Sequence, residues 1–220
     1  MTGVETVTEL RRMPSPAPEP QSLAFDGTRL WMGSRATRRL YAIDPATWAA
    51  RDEGEAPDTP WGMTVVGDEL RVIHSHGPDD DRVVSRFIPG HGFTSAGAFD
   101  APEHTGSQLS WDGDVLYISQ WYNRRLLGVD RTGAILSTIE APHGICGQVV
   151  VDGRFYLLTT DDEDAGDYWI TRIDARGAAP VVDDIAVVPF RARALAFDGE
   201  RFWTNHREAH EIVAFARPDA

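Results

Sequence analysis

The chain has 220 residues, with 21 Lys and Arg against 34 Asp and Glu, and a net charge of −13. That balance argues against nucleic acid, whose phosphates demand a basic face. No apolar run is long enough for a membrane-spanning helix, and a single cysteine excludes an intrachain disulfide. The opening MTGVETVTEL has neither the basic nor the apolar part of a secretory signal. A lone cysteine suits a reducing compartment, so a cytoplasmic location is expected.

In chain order, residues Val4 to Leu10 (VETVTEL) alternate apolar and polar, as a half-exposed strand does. They have no partner nearby in sequence. The stretch from Pro14 to Pro20 is rich in proline and reads as a crossover. The phrase LAFDGTRLWMGS then starts at Leu23. It recurs as MTVVGDELRVIH from Met63, LSWDGDVLYISQ from Leu109, VVVDGRFYLLTT from Val149 and LAFDGERFWTNH from Leu195. The turn glycines Gly27, Gly67, Gly113, Gly153 and Gly199 give a period alternating between about 40 and 46 residues. A period of that size, built from paired strands, is that of propeller blades.

Each repeat reads as four strands. In the first, Ser22 to Asp26 runs into an Asp-Gly hairpin signal, Leu30 to Ser34 returns, and Arg39 to Asp44 and Thr47 to Asp52 follow. The third repeat has the same plan in Gln108 to Asp112, Val115 to Gln120, Arg125 to Asp130 and Ala134 to Glu140. The fifth offers only Ala194 to Asp198, Arg201 to His206 and Glu211 to Ala216. The strand at 4–10 is expected to supply the missing one, closing the ring and removing a free sheet edge. The expected fold is an all-β, five-bladed β-propeller forming one domain over 1–220. Its blades span about 21–53, 61–100, 107–140, 147–188 and 193–216.

Loops on a rigid frame are where binding groups tend to sit. In a propeller the candidates are the starts of the innermost strands, the incoming loops, and the loops after the second strands. Six of the seven histidines fall there: His74, His76, His104, His143, His206 and His210. His91, in a turn between third and fourth strands, does not. Histidine exchanges protons near neutral pH. His74 and His206 end their second strands at equivalent repeat positions. As functional residues they would be an acid/base pair or metal ligands; as structural residues they would hydrogen-bond loop backbone. Tyr122 is a candidate proton donor. His143, in the turn Ala-Pro-His-Gly-Ile-Cys, is a further candidate.

Gln21, Trp61, Gln108, Gln120, Trp121, Gln148 and Arg193 are the expected substrate-binding set. Trp61 would stack on a ligand or plug the channel. Arg193 would hold a carboxylate or balance the acidic loop at 161–164. Cys146 reads as a nucleophile or as inert packing. That acidic loop lacks the oxygen spacing and glycine of a calcium loop. No HExxH, paired Cys-x-x-Cys, Walker loop or Gly-x-Ser-x-Gly is present. The innermost strand starts carry no carboxylate, so no cofactor is expected, with a histidine-bound divalent ion as the alternative. A lining of amides, aromatics and arginine suits a polar or anionic small molecule as partner.

PWGMTVVGDELRVI and GSQLSWDGDVLYIS resemble the blades of glutamine cyclotransferase-like and streptogramin lyase-like β-propellers. In the cyclotransferases a strand start like Phe-Thr-Gln-Gly-Leu is followed by Leu-Tyr-Glu-Ser. Gln108 and Leu109 match part of the first, and Leu116, Tyr117 and Ser119 part of the second. Ile118 stands where the glutamate would be, and Trp61-Gly62-Met63 supplies no replacement, so that activity is not carried over. The lyase-like resemblance implies histidine acid/base work with a divalent ion. The expectation is an enzyme of lyase, cyclase or hydrolase type using histidine proton transfer. A binding or sensor module without chemistry, or an interaction scaffold, is the alternative.

Overall fold

The computed structural model describes residues 4–164, 168–177 and 179–218. The first strand, β1 (Glu9–Pro14), precedes the repeats. Blade 1 is β2 (Pro20–Phe25), β3 (Leu30–Ser34), β4 (Arg39–Ile43) and β5 (Ala50–Glu55). Blade 2 is β6 (Pro60–Val66), β7 (Glu69–His76), β8 (Asp81–Ile88) and β9 (Gly92–Asp100). Blade 3 is β10 (Leu109–Trp111), β11 (Leu116–Gln120), β12 (Arg125–Val129) and β13 (Ile135–Glu140). Blade 4 is β14 (Gly144–Val151), β15 (Arg154–Thr160), β16 (Tyr168–Asp174) and β17 (Val181–Val188). Blade 5 is β18 (Ala192–Phe197), β19 (Arg201–His206) and β20 (Glu211–Ala216), completed by β1.

Among the described residues these are five antiparallel sheets of four strands, an all-β five-bladed propeller. No helix is long and apolar enough to cross a membrane. The innermost strands β2, β6, β10, β14 and β18 each pack on the next around the axis.

Each blade is two-faced because successive strand residues point to opposite sides. In β3, Leu30 and Met32 pack with Ala196 and Trp203 of blade 5, while Trp31 between them packs with Met63, Val72 and Phe87 of blade 2. Five such apolar clusters hold the five blade interfaces. Near the axis the approach is closest at two glycines. A Cβ on Gly62 would lie 2.5 Å from the Gln108 backbone, and one on Gly147 would lie 2.5 Å from the Ala194 backbone.

The recurring Asp-Gly does two jobs. In blade 5, Asp198 Oδ1 accepts from the Glu200 and Arg201 N–H groups, and Oδ2 accepts from Trp203 Nε1 at 2.8 Å. Asp26 and Trp31 repeat this in blade 1, and Asp112 and Tyr117 repeat it in blade 3. The aspartate thus ties the turn to an aromatic residue five positions on.

The ring closes through the N-terminus, but only in part with the strand expected at 4–10. The closing strand is β1, which pairs antiparallel with β20 from Glu9↔Phe215 to Pro14↔Glu211. Residues 8–10 of the expected strand thus meet blade 5, with the Thr8 carbonyl accepting from Ala216 N–H at 2.9 Å, while residues 5–7 bridge to blade 4. Val7 N–H donates to Val187 at 2.9 Å, and Val187 N–H donates to Glu5 at 2.8 Å. Arg12 holds the later register, donating to Glu9 and Glu211, both at 2.7 Å. The prolines between β1 and β2 then carry the chain from rim to axis.

Candidate functional site

The innermost strands break register where they enter the channel. In β2 the shift lies between Pro20 and Ser22, in β6 between Pro60 and Gly62, in β14 between Ile145 and Gly147, and in β18 between Arg193 and Ala196. In blade 3, Ser107 N–H donates to the Ser119 carbonyl while Ser119 N–H donates to the Gln108 carbonyl. A bulge frees a residue from the ladder and re-aims its side chain. Ala194, just after Arg193, takes φ of 60°, a left-handed conformation that costs a non-glycine residue. The side chains freed or flanked by these bulges, Gln21, Trp61, Gln108, Cys146 and Arg193, converge at the mouth. With Arg35, Ser107, Trp121, Ile145, Glu163 and Arg207 they enclose a cavity of about 140 Å³.

Trp61 is fixed on every side. Its Nε1 donates to Ser75 Oγ at 2.8 Å, and its carbonyl accepts from Gln108 Nε2 at 2.9 Å. The Arg35 and Arg82 guanidiniums lie 5.7 and 4.6 Å from its ring centroid, within cation–π range. Its neutral indole therefore forms a wall flanked by two cations.

Arg193 is buried, 4% exposed. Its Nη1 donates to Cys146 Sγ at 3.1 Å, Tyr168 Oη at 3.3 Å and the Ala192 carbonyl at 3.2 Å. Its Nη2 ion-pairs with the half-buried Glu163 without an aligned hydrogen bond. Tyr168 in turn donates to the Glu163 carbonyl at 2.9 Å, so the same hydroxyl braces both members of the pair. Burial pushes the Cys146 thiol up to about 11, against the pull of Arg193. At neutral pH it is a thiol, not a nucleophilic thiolate.

Arg207 is half-buried and donates only weakly, to Gln21 Oε1 at 3.4 Å. No carboxylate among the described residues lies within ion-pairing distance of it. Burial, and then the Arg193 charge, draw its guanidinium below the ordinary arginine value. Arg35 has only Glu19 at 3.8 Å, with both side chains about half exposed, 47% and 46%. The mouth is therefore a cationic spot on an acidic protein.

The acid/base candidates lie elsewhere. None of the seven histidines borders the cavity. His74 is buried inside blade 2, where Nδ1 donates to the Ser75 carbonyl at 2.8 Å and Nε2 accepts from Ser85 Oγ at 2.9 Å. Burial lowers its basicity. His206 packs on Phe190, 4.7 Å between centroids, and accepts from Arg12 at 3.0 Å. His143 stacks on Trp169 between Asp161 (2.9 Å) and Asp184 (3.3 Å). Tyr122 is 87% exposed and meets Trp121 edge-on. Gln120 is taken up by Glu103, Asn123 and Arg125.

The physical reason is alternation. Adjacent strand residues take opposite faces, and Ser34, His74, Gln120 and His206, at equivalent repeat positions in or at the end of the second strands, look away from the mouth. The next residue looks toward it: Arg35, Ser75, Trp121 and Arg207. Glu163 belongs to the acidic loop at 161–164 that the sequence offered as a partner for Arg193, and the ion pair is the second of the two roles given to that arginine. Arg35 and Arg207 were not singled out by sequence, although they share that repeat position with Trp121. Residues 165–167 of the loop after β15 lie outside the described residues.

Gln148 donates to the Gln108 and Tyr117 carbonyls, at 3.3 and 2.8 Å. It borders a second channel cavity of about 190 Å³, lined by Leu23, Met63, Leu109, Trp111 and Leu195 among others. Among the described residues, no three His, Cys, Asp or Glu side chains converge as metal ligands would.

By sequence, neither a protein family nor a curated protein matches the chain. Solved structures of similar fold include hydrazine synthase of Kuenenia stuttgartiensis, at 15% identity and TM-score 0.54; the match covers 88% of this chain and 64% of that one. Glutaminyl cyclase of Myxococcus xanthus is 17% identical with TM-score 0.52, covering 84% and 100%. Virginiamycin B lyase of Staphylococcus aureus is 11% identical with TM-score 0.50, covering 94% and 98%. At these identities the likeness is one of fold.

Proposed function

We propose that the channel mouth binds a small anionic molecule. The observation that carries this reading is Arg207, a half-buried guanidinium with no carboxylate partner, beside the buried Arg193. Burying like charges together is costly, and an incoming carboxylate or phosphate offsets that cost through charge-assisted hydrogen bonds. A cavity of about 140 Å³ is close to one that takes up benzene, so the buried part of the ligand has on the order of six to ten non-hydrogen atoms. Trp121 and Gln108, also in the lining, add planar and amide groups suited to an uncharged end.

Turnover of that anion is a second reading, because the similar propellers include a cyclase and a lyase by name. Glu163 would then be the proton acceptor, as the carboxylate that borders the cavity among the described residues. Histidine chemistry is not part of either reading. Thermal-shift titration with a panel of small carboxylates and phosphates tests the site. Wild-type protein should be stabilised by at least one anion, and Arg207→Gln should bind that anion at least tenfold more weakly. Equal shifts in both proteins would overturn the assignment.

A further inference from the structure

We infer that the ligand is a dianion, a dicarboxylate or a phosphate monoester, rather than a simple carboxylate. This rests on the reading of the mouth as an anion site. Among the described residues, three guanidiniums border the cavity, Arg35, Arg193 and Arg207, against one carboxylate, Glu163. Glu163 is spent on Arg193. Arg82, behind Trp61, is spent on Asp80 at 2.7 Å. Arg35 has only a long, half-exposed contact with Glu19, and such surface pairs contribute little. Among the described residues, Arg35 of blade 1 and Arg207 of blade 5 have no close carboxylate of their own: Arg35 shares Asp80 with Arg82, and Arg207 shares Glu163 with Arg193. The Gln21 amide, released by its bulge, stands at the mouth and accepts from Arg207. A ligand with one negative charge would leave one of these guanidiniums without a partner. Two carboxylates, or a doubly ionised phosphate, match both.

Calorimetric titration with succinate, butyrate and inorganic phosphate at low salt tests the inference. Butyrate keeps the four-carbon chain of succinate but lacks the second carboxylate. Succinate or phosphate should bind wild-type protein at least tenfold more tightly than butyrate. In Arg35→Gln, with folding checked by urea denaturation because the half-exposed Arg35 also lies over Trp61, that preference should shrink toward unity. Equal binding of butyrate and the dianions, with Arg207→Gln losing both, would overturn the dianion inference and leave the anion site standing. A preference unchanged in Arg35→Gln would overturn the part given to Arg35. Binding of none of the three probes would remove both the site and the inference.

Discussion

Arg193 and Arg207 stand on the same blade, border the same cavity and repel each other, and among the described residues only Arg193 has a carboxylate within ion-pairing distance. Glu163 is therefore both a stabilising partner and a competitor for any anion that enters. Glu163→Gln should lose about 1–2 kcal/mol of stability, less than for a fully buried pair because Glu163 is partly exposed. The same variant should bind succinate more tightly than wild type, and succinate should restore the lost stability. Urea denaturation with and without succinate measures both effects. A variant with unchanged stability and weaker succinate binding would contradict the competitor role.

The turn aspartates can be tested independently of any ligand. Trp203 is fully buried, and its indole N–H donates to Asp198. Asp198→Ala leaves that donor unpaired and releases two turn N–H groups. The expected loss is about 2–3 kcal/mol, the range for a hydrogen bond to a charged group plus an orphaned donor. A change below about 0.5 kcal/mol in urea denaturation would show that the tie contributes little.

His74 gives the protein a predictable acid sensitivity. Burial lowers its pKa in the folded chain from the ordinary 6.5. Between the folded value and 6.5 the unfolded chain binds more protons, so stability falls as pH drops through that window. His206, lowered by burial and by Arg12, adds a second share in the same direction. His74→Gln should be less stable at pH 7.5 yet show a shallower decline between about pH 6.5 and 5.5. Parallel stability profiles for the two proteins would show that His74 does not titrate differently on unfolding.

Much of the frame was readable because each turn pins the register of the strand after it. Leu30–Ser34, Arg201–His206 and Glu211–Ala216 lie where the repeat places them. The closing strand was displaced because alternation in 4–10 reports a half-exposed segment without saying which edge it meets. Part of it meets Val187 of blade 4. At the site, Gln21, Trp61, Gln108, Trp121 and Arg193 were within reach of sequence reasoning because they start innermost strands or follow a second strand. The histidines misled because a strand-end residue and its neighbour face opposite ways, as His74 and Ser75 do. Periodicity does not mark which of the two turns toward the axis. That Arg193 meets the acidic loop at 161–164 was one of its two expected roles, but which carboxylate it meets depends on a loop path no repeat dictates.

The most direct measurement of the central claim is anomalous diffraction from crystals soaked in selenate, a doubly charged oxyanion whose selenium can be located. A selenium peak is expected at the channel mouth, with selenate oxygens within hydrogen-bond distance of the Arg207 guanidinium, and no such peak in Arg207→Gln. Selenate bound only at other surfaces, with the mouth filled by solvent alone, would contradict it.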